Sequence, residues 1–173
     1  MTLIRPGCRR SGTTIVESAI VYPVLLLLLI GLMVGGLGVF DYEQVAYAAR
    51  EAARFASVHA GQYQRDNAAA IAAGTLPDVN AAYLTTLVTD RVVNLDSSKL
   101  QVTVTFNTSS GAFGWNDTTH NGDRWPYSPR TIGTTTYSET NTVAVTVSYQ
   151  WIPEAFLIGP FTVTSTSVLP VCY

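Results

Sequence analysis

Apolar positions along this chain follow three patterns in turn: an unbroken run, then spacings of three and four, then strict alternation. The run comes first. From Ser18 to Phe40 there are 23 consecutive positions without a charged side chain, and Ala19 to Phe40 supplies 22 predominantly apolar residues. A bilayer core takes about 20 helical residues, whereas the apolar core of a cleaved secretory signal is roughly 7–15 long and precedes a small-residue cleavage site. No such site directly follows Phe40. The run therefore predicts a membrane-spanning helix over about 19–40. A buried core helix is the competing reading, but the rest of the chain is too small to wrap 22 apolar residues on every side.

Helical periodicity continues past Asp41. Ala46, Ala49, Ala53, Ala56 and Ala60 recur at spacings of 3, 4, 3 and 4, which puts small side chains on one narrow face. One helix is predicted over 13–60, with the span at 19–40, an outer continuation at 41–60 and Gly61 as its stop. At 1.5 Å per residue it is roughly 70 Å long. Asn67 to Ala73 is short and Ala-rich. Pro77 to Leu95 reads as a second helix, with Leu84, Leu87, Val88, Arg91 and Leu95 along one face and Pro77 at its start.

Alternation appears last. Leu100, Val102, Val104 and Phe106 alternate with polar neighbours, as do Val143, Val145, Val147, Tyr149 and Trp151. Phe161 to Leu169 is a third segment rich in Thr and Val. Period two marks half-buried strands. Residues 153–160 read as a short helical turn. Residues 107–141 form a 35-residue stretch rich in Thr, Ser, Gly and Asn, predicted as a long loop. Its Phe113, Trp115, Trp125 and Tyr127 favour an ordered excursion or interaction loop over a passive linker. The predicted fold class is α+β: a long N-terminal transmembrane and spine helix packed on a small antiparallel sheet of about three strands, within an outer domain over 61–173.

Charge adds an orientation. The 173 residues carry 10 Lys/Arg against 12 Asp/Glu, a net −2, and only 13% are charged, about half the usual share of roughly 25%. No basic stripe is available to grip nucleic acid. Arg5, Arg9 and Arg10 precede the run, whereas Asp41 and Glu43 follow it. The positive-inside rule then places the N-terminus in the cytoplasm and the bulk of the chain outside a plasma (inner) membrane.

Catalytic patterns are missing from the sequence. The histidines, His59 and His120, belong to no metalloprotease, nucleophile-elbow, phosphate-loop or dinucleotide motif. Asp117, Asn121 and Asp123 beside His120 do not have calcium-loop spacing and read as a solvated loop. Cys8 and Cys172 start on opposite sides of the membrane, which argues against an intrachain disulfide. The expectation is a protein without catalytic residues, metal or cofactor.

Packing residues stand out instead. Pro23 removes a backbone donor inside the run, and Gly31 with Gly35 forms a Gly-x-x-x-Gly pair that permits close helix approach in lipid. Equally, Gly is simply common in membrane helices. Arg50 and Arg54 lie four apart with Glu51 between them. They read as a solvated face or as contacts to a neighbouring subunit. Glu17 is a carboxylate at the membrane edge, where a lone charge is costly. The positive end of a helix dipole would favour it there. A second reading uses its spacing: it is five residues after Gly12. A cut between Gly12 and Thr13 would free an α-amino group that Glu17 could pair with, on its own chain or on a packed neighbour.

A basic leader ending in Gly12, four residues, Glu17 and a long apolar helix together resemble a type IV prepilin signal. The resemblance narrows with Val16-Glu17, the stretch Pro23 to Gly31, and Ala48-Ala-Arg-Glu-Ala-Ala-Arg-Phe-Ala56, which are similar to the TadE-like family of tight-adherence (Flp, type IVc) pilus systems. Ser18 stands where that family usually has an aromatic residue. The resemblance, clearest over 12–60, implies a pilin-like pseudopilin or minor pilin that is cut after Gly12 by a membrane prepilin peptidase and retains its helix. It implies membrane lipid, other pilins or pseudopilins and assembly-platform proteins as partners. Losing the leader, 1–12, would remove Arg5, Arg9 and Arg10 and leave seven basic against twelve acidic side chains, net −5. The alternative is an uncleaved single-pass anchor presenting an extracytoplasmic binding or enzymatic domain.

Overall fold

The computed structural model of the chain describes residues 11–93, 95–115, 126–153 and 159–172. The leader residues Arg5, Cys8, Arg9 and Arg10 lie outside them, as do Asp117, His120, Asn121, Asp123, Trp125 and most of the helical turn expected at 153–160. Among the described residues there are four α-helices and six strands, so the class is α+β as expected.

Helix α1, Ser11–Val58, is 48 residues long with Pro23 inside it. Its end lies within two residues of the expected limit. Two compact units meet between Gly38 and Val39, inside this helix, and each is described by itself.

In the first unit, the apolar side chains from Ile15 to Leu37 are turned outward. Leu25 to Leu29 are each at least half exposed. No part of the most apolar 18-residue stretch is buried. Water would oppose such a surface, and lipid would not.

The second unit has a conventional core. The outer half of α1 buries Val45, Ala48, Ala49, Ala52, Ala53 and Ala56. These are i, i+3 and i+4 neighbours, and their small size permits close approach. The Ala seam is therefore real and wider than expected. Ala46, by contrast, is only half-buried. Gly61 does not end the helical region: after a break at residues 59 and 60 it opens α2, Gly61–Asp66, followed by α3, Ala68–Ala72.

The second long helix is shorter than its periodicity implied. Helix α4, Ala81–Arg91, starts four residues after Pro77 because the Asn80 side chain accepts from the Tyr83 N–H at 2.9 Å. This N-cap sets the start in place of proline. Leu84 and Val88 face the core.

Strands β1, Leu100–Thr108, β2, Gly111–Gly114, β5, Thr142–Trp151, and β6, Phe161–Pro170, form an antiparallel sheet in the order β2-β1-β5-β6. The sheet thus has four strands where about three were expected. The alternation places Val104, Phe106, Val143, Val145, Val147, Tyr149, Trp151 and Val163 in the core. Opposite faces carry Thr103, Thr146 and Thr166 in one register row, with Thr146 and Thr166 hydroxyls 2.9 Å apart.

The reading of 107–141 as one long loop is corrected. It contains β2 and a separate hairpin of β3, Tyr127–Ile132, and β4, Thr135–Thr140. Gly133 has φ +65°, a left-handed conformation that suits the two-residue turn joining them. Trp115 is buried. Its indole N–H donates to the Val79 carbonyl at 3.0 Å, and its ring lies 5.1 Å from that of Phe106. Asn141, fully buried, knots the hairpin to the sheet. Its side chain donates to Ser128 Oγ at 2.7 Å, its N–H to the Pro126 carbonyl, and its carbonyl accepts from Val171.

Candidate functional site

The residues singled out in the sequence all lie on α1, but the chain does not gather them into one cleft. Gly12 and Thr13 lie where the described residues of α1 begin. Glu17 is exposed and follows four positions after Thr13. On a helix this is a rise of about 6 Å, within reach of an α-amino group at residue 13 or of one on a neighbouring helix. Beside it, the Ser18 hydroxyl donates to the Thr14 carbonyl at 2.7 Å, so this polar side chain is satisfied by its own helix.

Pro23, Gly31 and Gly35 remain open to a partner. A side chain at Gly31 or Gly35 would meet no heavy atom within 4 Å.

Arg50, Glu51 and Arg54 divide. Arg50 Nε donates to the Ala46 carbonyl of its own helix at 3.1 Å. Glu51 faces α4, where its carboxylate lies 3.9 Å from the Arg91 guanidinium. Arg54 is exposed. Among the three, Glu51 is thus accounted for within the chain.

The periodicity did not reveal what holds the outer part of α1 in place. At its start the Trp151 indole lies within reach of the Asp41 carboxylate. Partial burial there pushes the Asp41 carboxyl above its ordinary value, the indole N–H opposing this more weakly. One turn on, Gln44 Oε1 accepts from the Val93 N–H at 2.6 Å. At the far end the Ser57 carbonyl accepts from Cys172 N–H at 3.0 Å. The C-terminal segment is thereby tied to the helix, and Cys172 remains an exposed free thiol. His59 has a packing role. It stacks on Phe55 with ring centroids 3.9 Å apart, and its edge meets Tyr63 at 4.5 Å. Phe55 in turn stacks on Tyr83 of α4 at 5.7 Å.

Among the described residues, no three His, Cys, Asp or Glu side chains cluster as metal ligands would. An open hollow of about 290 Å³ on the sheet is lined by hydroxyl and amide side chains with Lys99. Lys99 lies 3.3 Å from Asp96, and the lining holds neither histidine nor carboxylate to serve as a base.

A family model described as TadE-like protein matches residues 12–54. The matched segment runs from Gly12 through Glu17, the apolar half of α1 and the Ala seam to Arg54. No curated protein matches the chain, and no solved structure does. The match implies a protein associated with the tight-adherence pilus, and one N-terminal apolar helix is long enough to anchor it in a membrane. Over residues 12–54 the chain is thus similar to TadE-like proteins.

Proposed function

We propose that this chain is a membrane-anchored pseudopilin, or minor pilin, that takes part in assembling or initiating a tight-adherence type IV pilus or a related secretion fibre. A prepilin peptidase cuts it after Gly12 on the cytoplasmic side of the plasma membrane. The outer domain, 61–173, lies outside the cytoplasm. Its work is packing rather than catalysis. The new α-amino group at Thr13 pairs with Glu17 of the same or a neighbouring subunit, and the open Gly31–Gly35 face receives another helix. Other pilins or pseudopilins and the assembly platform are its partners.

The observation that carries this reading is the register of Gly12, Thr13 and Glu17 ahead of the apolar run, on one helix and within the TadE-like match. The exposed apolar surface of the first unit supports the lipid environment. Replacing Gly12 with tryptophan tests it. The reading predicts an uncut chain and loss of assembly. An uncleaved anchor presenting a binding or enzymatic domain would be unaffected.

A further inference from the structure

Several large apolar side chains of the second unit are exposed in one place. Val39 and Phe40 are 63% and 55% exposed, and Tyr42 is 47% exposed. They belong to the turn of α1 where the uncharged run ends. Three contacts bring other elements to the same level. The Trp151 indole reaches Asp41, which brings the end of β5 and the next residue, Ile152, to this turn. Phe161 is the register partner of Trp151, and their rings meet edge to face at 4.9 Å. The hydrogen bond from Val93 to Gln44 brings the residue after α4 there as well. Val93, Ile152 and Phe161 are 65%, 50% and 45% exposed.

The opposite end of the unit differs. There Ser57, Asn141, Val171 and Cys172 tie the C-terminal segment to the helix, and Ser57, Asn141 and Val171 are buried. The exposed apolar residues of the β3–β4 hairpin, such as Ile132, belong to that end through the bond between Asn141 and Ser128.

We infer that Val39, Phe40, Tyr42, Val93, Ile152 and Phe161 form a collar seated in the interfacial layer of the bilayer that holds the helix, so the domain rests on the membrane. This rests on the membrane-anchor reading above. The occupant follows from continuity: Phe40 is the last residue of the uncharged run, so the collar lies where the helix leaves the hydrocarbon. Aromatic side chains concentrate at that depth. The charge specifies the lipid. From Val39 to Ala49, α1 carries Asp41 and Glu43 and no basic residue, and Lys99, beside Gln150 and Thr162, is paired with Asp96 at 3.3 Å. Anionic headgroups attract basic clusters, so this collar fits a zwitterionic phospholipid. Seating the collar opposes tilt of the domain, and extraction into a fibre must lift it from lipid.

The test uses the full chain with Cys8 and Cys172 replaced by serine, reconstituted in phosphatidylcholine vesicles. A nitroxide is attached after Ile152→Cys, Phe161→Cys, Ile132→Cys or Leu27→Cys. Relaxation by oxygen relative to a water-soluble nickel complex is expected to be several-fold higher at positions 152 and 161 than at 132. Equal values at the three sites, with position 27 in lipid, overturn the collar and leave the anchor standing. A water-exposed position 27 overturns both. Without labels, quenching of tryptophan fluorescence by lipids brominated near the headgroup is expected to fall in Trp151→Phe. Unchanged quenching contradicts the collar.

Discussion

The indole of Trp151, the last residue of β5, lies within reach of the carboxylate of Asp41, the first residue beyond the uncharged run of α1. The end of β5 is thus held against the second half of α1. The contact joins residues 110 positions apart in sequence, and Ser57 with Cys172 repeats the arrangement at the other end.

Asp41 has a pH consequence. Burial raises its carboxyl above the ordinary 3.8, the indole N–H offsetting only part of that. The folded state therefore binds this proton more tightly than the unfolded state. Its contribution is most favourable below the unfolded value and is lost as pH rises through the folded one. Asp41→Asn keeps an acceptor for Trp151 and removes the charge. It is expected to be more stable than the parent chain at neutral pH and equal to it in strong acid. Equilibrium denaturation across the acid limb checks this, and a variant less stable at neutral pH would contradict it.

The Ala seam makes a packing prediction. Ala52 is fully buried on α1. Ala52→Leu adds volume where none is free and is expected to cost about 1–3 kcal/mol. Arg54→Ala, on the exposed side, is expected to stay within about 0.5 kcal/mol. Denaturant midpoints of the two detergent-solubilised chains compare them directly.

Asn141 and Ser128 form a buried pair linking the hairpin to the sheet. Asn141→Ala leaves the Ser128 hydroxyl without this partner and is expected to cost about 1–3 kcal/mol. Because the residues share one bond, the double variant Asn141→Ala, Ser128→Ala should lose less than the sum of the single losses. Strict additivity in a double-mutant cycle would show that the pair does not couple.

Glu17 is where assembly and stability separate. It is exposed, so Glu17→Gln is expected to leave the outer domain's folding unchanged. A neutral amide cannot pair with an α-ammonium group. Recovery of the chain with pilin partners after crosslinking is therefore expected to drop by about tenfold or more, equivalent to roughly 1.4 kcal/mol per decade. Wild-type recovery would remove Glu17 from the assembly mechanism.

Much of this was legible in the sequence because burial leaves a period. The run from Ser18 to Phe40, the Ala spacing and the alternation of Val143 to Trp151 each record one buried or lipid-facing surface. The β3–β4 hairpin has no such record. Apart from Ser128 and Glu139, its residues are exposed on both faces, so Thr135 to Thr140 shows no alternation and resembles a loop. The start of α4 was misplaced because proline is a visible signal, whereas the bond from Tyr83 to Asn80 sets the boundary. At the candidate site, Gly12, Glu17 and the glycine pair were legible by spacing alone. Asp41 with Trp151 and Glu51 with Arg91 were not, since no local pattern encodes a partner 40 or more residues away.

Processing at Gly12 is the central claim, and intact mass with N-terminal sequencing of the membrane-extracted chain tests it most directly. Cells with an active prepilin peptidase should yield a chain of 161 residues that begins at Thr13 and retains the whole apolar helix. A chain that still begins at Met1 in those cells would contradict the account.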